Sequence, residues 1–131
     1  MPNYLEGKNI AITGAGSGIG KAIALAVAAE GANIIVADYG VALDGSEPTS
    51  AIADAVAQEI ESLGVEAEAI AGDVSHMATG AEVVDTSIKR WGSIDGVVCV
   101  AGILRERMLF NMSEEEWDAV IAVHLLSLIH I

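Results

Sequence analysis

The sequence predicts an α/β fold built on a doubly wound parallel sheet. Three observations predict it. Short β-rich apolar runs alternate with helix-length amphipathic segments, strand first and helix last, four times over. That alternation gives parallel strands joined by right-handed crossovers. Glycines stand where three of the helical segments stop, at Gly31, Gly64 and Gly92, as helix C-termini favour. The run "IDGVVCVAG" is apolar almost throughout, the pattern of a strand covered on both faces.

The elements follow in order. "KNIAIT", residues 8–13, is a short β-rich run stopped by glycines. Residues 19–30 are Ala-rich and helical up to Gly31. "NIIVAD", residues 33–38, is the second strand, and "YGVALDGSEPTS" is a loop of Gly, Pro, Ser and Asp. Residues 51–63 carry helical apolar spacing at Ile52, Val56 and Ile60, with Leu63 completing the face. "EAEAIAG" is a weaker third strand, residues 77–91 are the third helix, and "IDGVVCVAG" is the fourth strand. Ser113 opens the fourth helix, and with Glu116 it forms a Ser-x-x-Glu capping box. Trp91 and Trp117 read as core anchors.

A chain of 131 residues makes one domain the natural expectation, long enough to bury roughly two thirds of its unfolded surface. Apolar residues make up 53%, which argues against disorder. Acidic residues outnumber basic ones 19 to 6, for a net charge of −13. Such a surface repels phosphate backbones and anionic membranes, so neither nucleic acid nor membrane is an expected partner. The only cysteine, Cys99, cannot form an internal disulfide, which fits a reducing compartment. The N-terminus has no basic start followed by a long apolar stretch, and no apolar run reaches membrane-spanning length. The expected location is the cytoplasm. His76, His124 and His130 lack metal-ligand spacing, so no metal is expected.

The chemistry is concentrated at "ITGAGSGIGKAIA", between the first strand and the first helix. Gly14, Gly18 and Gly20 let the backbone turn sharply and approach an anion closely, and the helix N-terminus adds free N–H groups. The G-x-G-x-x-G pattern fails, because Gly14 and Gly16 would need a small residue at Ile19; T-G-x-x-x-G-x-G fits. With that spacing the chain resembles the N-terminal part of the short-chain dehydrogenase/reductase family over about residues 5–125. The resemblance implies a Rossmann-type sheet, here expected to stop after its fourth strand and fourth helix. It implies cofactor-binding residues at Gly14, Ser17, Gly18, Ile19, Gly20, Asp38, Asp73, Val74, Ala101 and Gly102. Asp38 closes the second strand, where a carboxylate accepts both hydroxyls of an adenosine ribose and repels a 2′-phosphate. No Lys or Arg stands at Ala15, Ser17 or Tyr39. The expected cofactor is therefore NAD rather than NADP. Asp73 and Val74 match the family's Asp-Val pair, which resembles an adenine clamp; the alternative is a helix N-terminal acid.

The sequence departs from the family after the fourth strand. Cys99 and Val100 replace an Asn-Asn pair before Ala101 and Gly102. Cys99 is expected to act as a small buried hydrophobe. The stretch "GILRERMLFNMSEEEWDAVIAVHL" resembles 3-hydroxyacyl-CoA dehydrogenases and 3-oxoacyl reductases. His124 stands where many relatives carry a catalytic asparagine that holds a proton-relay water. It could serve a relay or be a packed helix histidine.

Relatives exchange a hydride between nicotinamide and a carbonyl or alcohol, using a serine and a Tyr-x-x-x-Lys pair beyond the fourth helix. Tyr4 and Lys8 have that spacing but precede the first strand, so no catalytic residue is assigned. The closing "LSLIHI" departs from the family, which continues with a Gly-containing helix segment. It equals one reading frame of a transposon-end adapter used in sequencing libraries. Residues 1–125 are expected to be a partial NAD(P)-binding domain and residues 126–131 a non-native tail. The expected function is the cofactor-binding half of an NAD-dependent short-chain oxidoreductase, inactive alone, whose parent is a homo-oligomer acting on a small alcohol or ketone. The alternative is a non-catalytic NAD-binding or partner-binding module. An apolar fourth strand left at a sheet edge predicts poor solubility or self-association.

Overall fold

The computed structural model describes residues 3–40 and 49–131. The loop predicted at residues 39–50 lies mostly outside them. Four strands, β1 (Asn9–Thr13), β2 (Asn33–Ala37), β3 (Ala67–Ile70) and β4 (Gly96–Cys99), form one sheet in the order β3-β2-β1-β4. Every pairing is parallel, with Ile12 opposite Val36 on one side and Val98 on the other. The chain steps outward from β1 to β3 and then crosses back to place β4 on the far side of β1. That reversal is where a doubly wound sheet binds its ligand.

The two sheet faces build two cores. Ile12, Ile34 and Val36 pack with Ala24 and Ala28 of α1 (Gly18–Ala29) and with Val56 and Ile60 of α2 (Ala51–Glu61). Ala11, Ile35, Ala37 and Ile70 pack with Val83 of α3 (Met77–Trp91). The alternation of strand side chains therefore resolves into two buried layers. The alanines of α1 let its axis approach the sheet closely. This helix ends in a Schellman motif: Gly31 has φ +97°, its N–H donates to Ala28, and the Ala32 N–H donates to Val27.

α4 (Glu114–Ile121) carries the predicted capping box. The Ser113 hydroxyl accepts from the Glu116 N–H, and the Glu116 carboxylate accepts from the Ser113 N–H, both at 3.1 Å. The chain continues through a π turn (Ala122–Leu126) into a short α5 (Ser127–His130). Residues 126–131 return to the body: Ile131 packs on the second core, and His130 Nδ1 lies 2.7 Å from the Ser75 carbonyl oxygen.

Three expectations are corrected. β4 is not covered on both faces: Val98 and Val100 join the first core, but Val97 is 42% exposed. Cys99 is exposed rather than buried, because it shares the outer face of this edge strand. Trp117 is not a core anchor; it is 54% exposed on α4, a helix with no buried residue. Trp91 does pack on the second core, beneath the Arg90 guanidinium.

Candidate functional site: a glycine-floored cleft at the switch point

The carboxyl ends of the strands open onto a cavity of about 260 Å³. Of the residues expected there, Gly14, Ser17, Ile19, Gly20, Asp38, Asp73, Val74, Ala101 and Gly102 line it. Gly18 does not; with φ +53° and open space around it, it shapes the turn from behind. Ala37, Tyr39, Gly72, Val100, Ile103 and Val123 complete the wall. They follow from strand geometry, since each neighbours a predicted residue or lies on the helix facing it.

Close backbone contacts explain the glycines. Gly14 has φ +68°, and its N–H donates to Ala37 at 2.8 Å, so the loop leaves β1 across the end of β2. A Cβ on Gly14 would lie 2.7 Å from the Ala101 nitrogen. A Cβ on Gly20 would lie 2.0 Å from the Gly14 carbonyl oxygen. The first turn of α1 is thus pressed against the loop. Thr13, the first residue of the glycine motif, closes the other side: its hydroxyl accepts from the Val100 and Ala101 N–H groups at 3.2 and 3.3 Å. The sequence named this threonine only as part of the motif; its position one residue before Gly14 was the available signal.

Ser17 caps α1 in an extended conformation, and its side chain makes no capping bond. The hydroxyl and the first N–H groups of α1 are therefore available to an anion. Asp38 is held rigidly. One carboxylate oxygen accepts from the Gly16 N–H and the other from the Gly40 N–H, each at 2.7 Å. Each oxygen keeps acceptor capacity for a ligand hydroxyl. Asp73 is partly committed, since its Oδ1 accepts from both the N–H and the hydroxyl of Ser75. It does not cap α3, whose N-cap is His76.

A second, mainly apolar groove of about 450 Å³ adjoins the cavity and shares Ile103 with it. Met112, Trp117, Val120, Ile121, Arg105 and His124 face it. The Arg105 Nε is buried with no hydrogen-bond partner among the described residues. Sequence reading missed this groove because it joins an irregular segment to one side of α4. His124 was singled out, and its Nε2 lies against the backbone of Ile103. Tyr4 and Lys8 lie before β1, both exposed, and neither lines the cavity or the groove. Among the described residues, no cluster of three His, Cys, Asp or Glu could hold a metal ion.

A parallel sheet with a glycine turn at its first crossover, an uncapped helix N-terminus and an acid ending the second strand defines a Rossmann-type α/β unit. The short chain dehydrogenase family model matches residues 8–131, and the chain belongs to that family. It is 49% identical over 121 residues to a hydroxyacyl-CoA dehydrogenase of Mycobacterium tuberculosis, a match covering 92% of this chain and 37% of the relative. It is 41% identical over 120 residues to the peroxisomal multifunctional enzyme type 2 of Drosophila melanogaster, covering 92% of this chain and 20% of that one. The crystal structure of a short chain dehydrogenase from Mycobacterium avium superposes with a TM-score of 0.87 at 47% identity, covering 96% of this chain and 44% of that chain. The chain thus spans under half the length of each of these relatives.

Proposed function

We propose that this chain is the cofactor-binding part of an NAD-dependent short-chain oxidoreductase. The observation that carries the reading is the fit of the cleft to a dinucleotide. Its floor is glycine backbone that any Cβ would fill, its anion-facing end is an uncapped helix start, and its rim holds a fixed carboxylate. The pyrophosphate would rest on Ser17, Ile19 and Gly20, with Gly18 shaping the turn behind them and Gly14 giving close approach. Asp38 would take the adenosine ribose hydroxyls. Asp73 and Val74 would flank the adenine, and Ala101 and Gly102 the second ribose. When bound, the nicotinamide supplies or accepts a hydride at an alcohol or carbonyl carbon.

The residues of this chain bind and orient; none is assigned a proton-transfer step, and the chain alone is expected to show no turnover. The parent would be a cytoplasmic homo-oligomer. Its small-molecule substrate would be an alcohol or ketone, with an acyl thioester favoured by the hydroxyacyl-CoA dehydrogenase relative. NAD is favoured over NADP because the Asp38 carboxylate sits where a 2′-phosphate would have to go. Among the described residues no cation lines that part of the cleft. Calorimetric titration of the purified chain with NAD and NADP tests the reading. Saturable NAD binding, about tenfold or more tighter than NADP, is expected. Tighter NADP binding would overturn the cofactor assignment, and no binding of either would overturn the whole proposal.

A further inference from the structure

We propose that His124 is a positioning residue, a latch that holds the backbone after β4 in the shape the cofactor cleft requires. The link to NAD rests on the function proposed above; the latch itself does not. Ile103 is the wall shared by the cleft and the apolar groove. His124 reaches it from the π turn that follows α4, and π turns of this kind concentrate at functional sites. A single ring atom meets both polar atoms of Ile103. Nε2 lies 3.2 Å from its amide nitrogen and 2.9 Å from its carbonyl oxygen.

A neutral imidazole nitrogen carries either a lone pair or a proton. In one tautomer the Ile103 N–H donates to Nε2. In the other, the Nε2–H donates to the Ile103 carbonyl oxygen. One backbone atom of Ile103 is held in either tautomer, but only the tautomer with its proton on Nδ1 satisfies the Ile103 N–H. Ile103 is only 5% exposed, and its amide has no other partner among the described residues. Leaving a buried amide unpaired is costly, so this segment depends on the ring.

The same ring determines what can stand at Gly102. A Cβ there would meet His124 Cε1 at 2.6 Å and Nε2 at 3.1 Å, and the three nearest heavy atoms all belong to this imidazole. Gly102 and His124 are therefore a matched pair, one on the cleft wall and the other behind it. With Nε2 against the Ile103 backbone, only Nδ1 is left for any other partner.

Three readouts test the latch: amide hydrogen exchange at Ile103 without cofactor, the dissociation constant for NAD, and Tm. His124→Phe keeps a flat ring but removes both nitrogens. It should speed Ile103 exchange and weaken NAD binding roughly tenfold, as when the competent backbone falls to about a tenth of the population. His124→Asn, which offers a donor and an acceptor on one side chain, should recover most of both. Gly102→Ala should lower Tm by several degrees beside His124 and much less in a His124→Ala background, because the clash leaves with the ring. If His124→Phe does not fold, His124→Ala takes its place in the exchange measurement. Unchanged Ile103 exchange, failure of His124→Asn to recover it, or an equal Gly102→Ala effect in both backgrounds would overturn the latch. If the wild-type chain bound no NAD, the proposed function would fall, while Ile103 exchange would still decide the latch.

Discussion

Gly20→Ala sets two physical effects against each other at one atom. Gly20 is inside α1 with ordinary helical backbone, so helix propensity alone favours alanine by about 1 kcal/mol. The packing says the opposite. The added Cβ would sit 2.0 Å from the Gly14 carbonyl oxygen, and real Cβ contacts essentially never fall below 3.0 Å. At least 1.0 Å must be opened (3.0 minus 2.0), and both sides are backbone. Overpacking typically costs about 1–3 kcal/mol, and with backbone on both sides the upper end, roughly 3 kcal/mol, applies. The net effect is a loss of about 2 kcal/mol, which for a domain this size lowers Tm by roughly 5–10 °C. The control is Gly18→Ala. There the φ of +53° costs about 1 kcal/mol, but no atom lies within 4 Å, so no collision adds to it. Thermal and urea unfolding followed by far-ultraviolet circular dichroism give both values. A Gly20→Ala chain as stable as the wild type would refute the argument, since propensity would then outweigh contact.

Four further outcomes are expected. Asp38→Asn should weaken NAD binding about tenfold while narrowing the gap to NADP, read by titration with both cofactors, because the charge that rejects a 2′-phosphate is removed. Ser113→Ala removes the hydroxyl that accepts from the Glu116 N–H and keeps the backbone N–H that donates to the Glu116 carboxylate; it should cost about 1 kcal/mol, seen as faster hydrogen exchange in the first turn of α4. Arg90→Met removes bonds to Glu66, Glu68 and the Ala67 carbonyl oxygen. The guanidinium is partly exposed, so the cost should stay near 1 kcal/mol in urea unfolding, its contact with Trp91 included. Finally, the chain should self-associate through the outer edge of β4, and Val97→Lys should reduce its weight-average mass in analytical ultracentrifugation.

The alternation of strands and helices was legible because each element is locally consistent. Periodicity, glycine stops and the Ser113–Glu116 box all point to the same boundaries. β2 was the clearest case: its run reads as a strand, and Ile34, Ile35, Val36 and Ala37 are all fully buried. β4 carries the same kind of run but only one of its faces is covered. A strand's own residues report what it can pack against, not what is beside it. Trp117 went astray for the same reason. The glycine loop could be read because its function is a backbone shape, which glycine spacing encodes directly. The bond from Asp38 to Gly16 could not be read, since it depends on where β2 ends relative to the loop. Residues 126–131 show the converse. A non-native tail is expected there from the sequence, yet these residues continue the helix and seat Ile131 on the second core. An apolar segment of helical periodicity will do that on any available apolar surface, so packing by itself is no mark of origin.

The arrangement of the cleft follows from β1 lying between β2 and β4. Its side chains feed both cores, Ile12 to one face and Ala11 to the other. Its last residue, Thr13, ties down the end of β4, while the next, Gly14, bonds across the end of β2. Three strand ends are thus fixed relative to one another within two residues of chain. The rigid layers beneath them allow little adjustment, which is why single added methyl groups at Gly14 or Gly20 meet backbone and not side chain. His124 holds the one wall that the sheet does not reach, the irregular segment after β4. A cleft shaped mostly by backbone has few side chains through which a mutation could soften it. Its geometry therefore depends on the few residues that clamp loops, Thr13, Asp38 and His124, more than on those a ligand would touch.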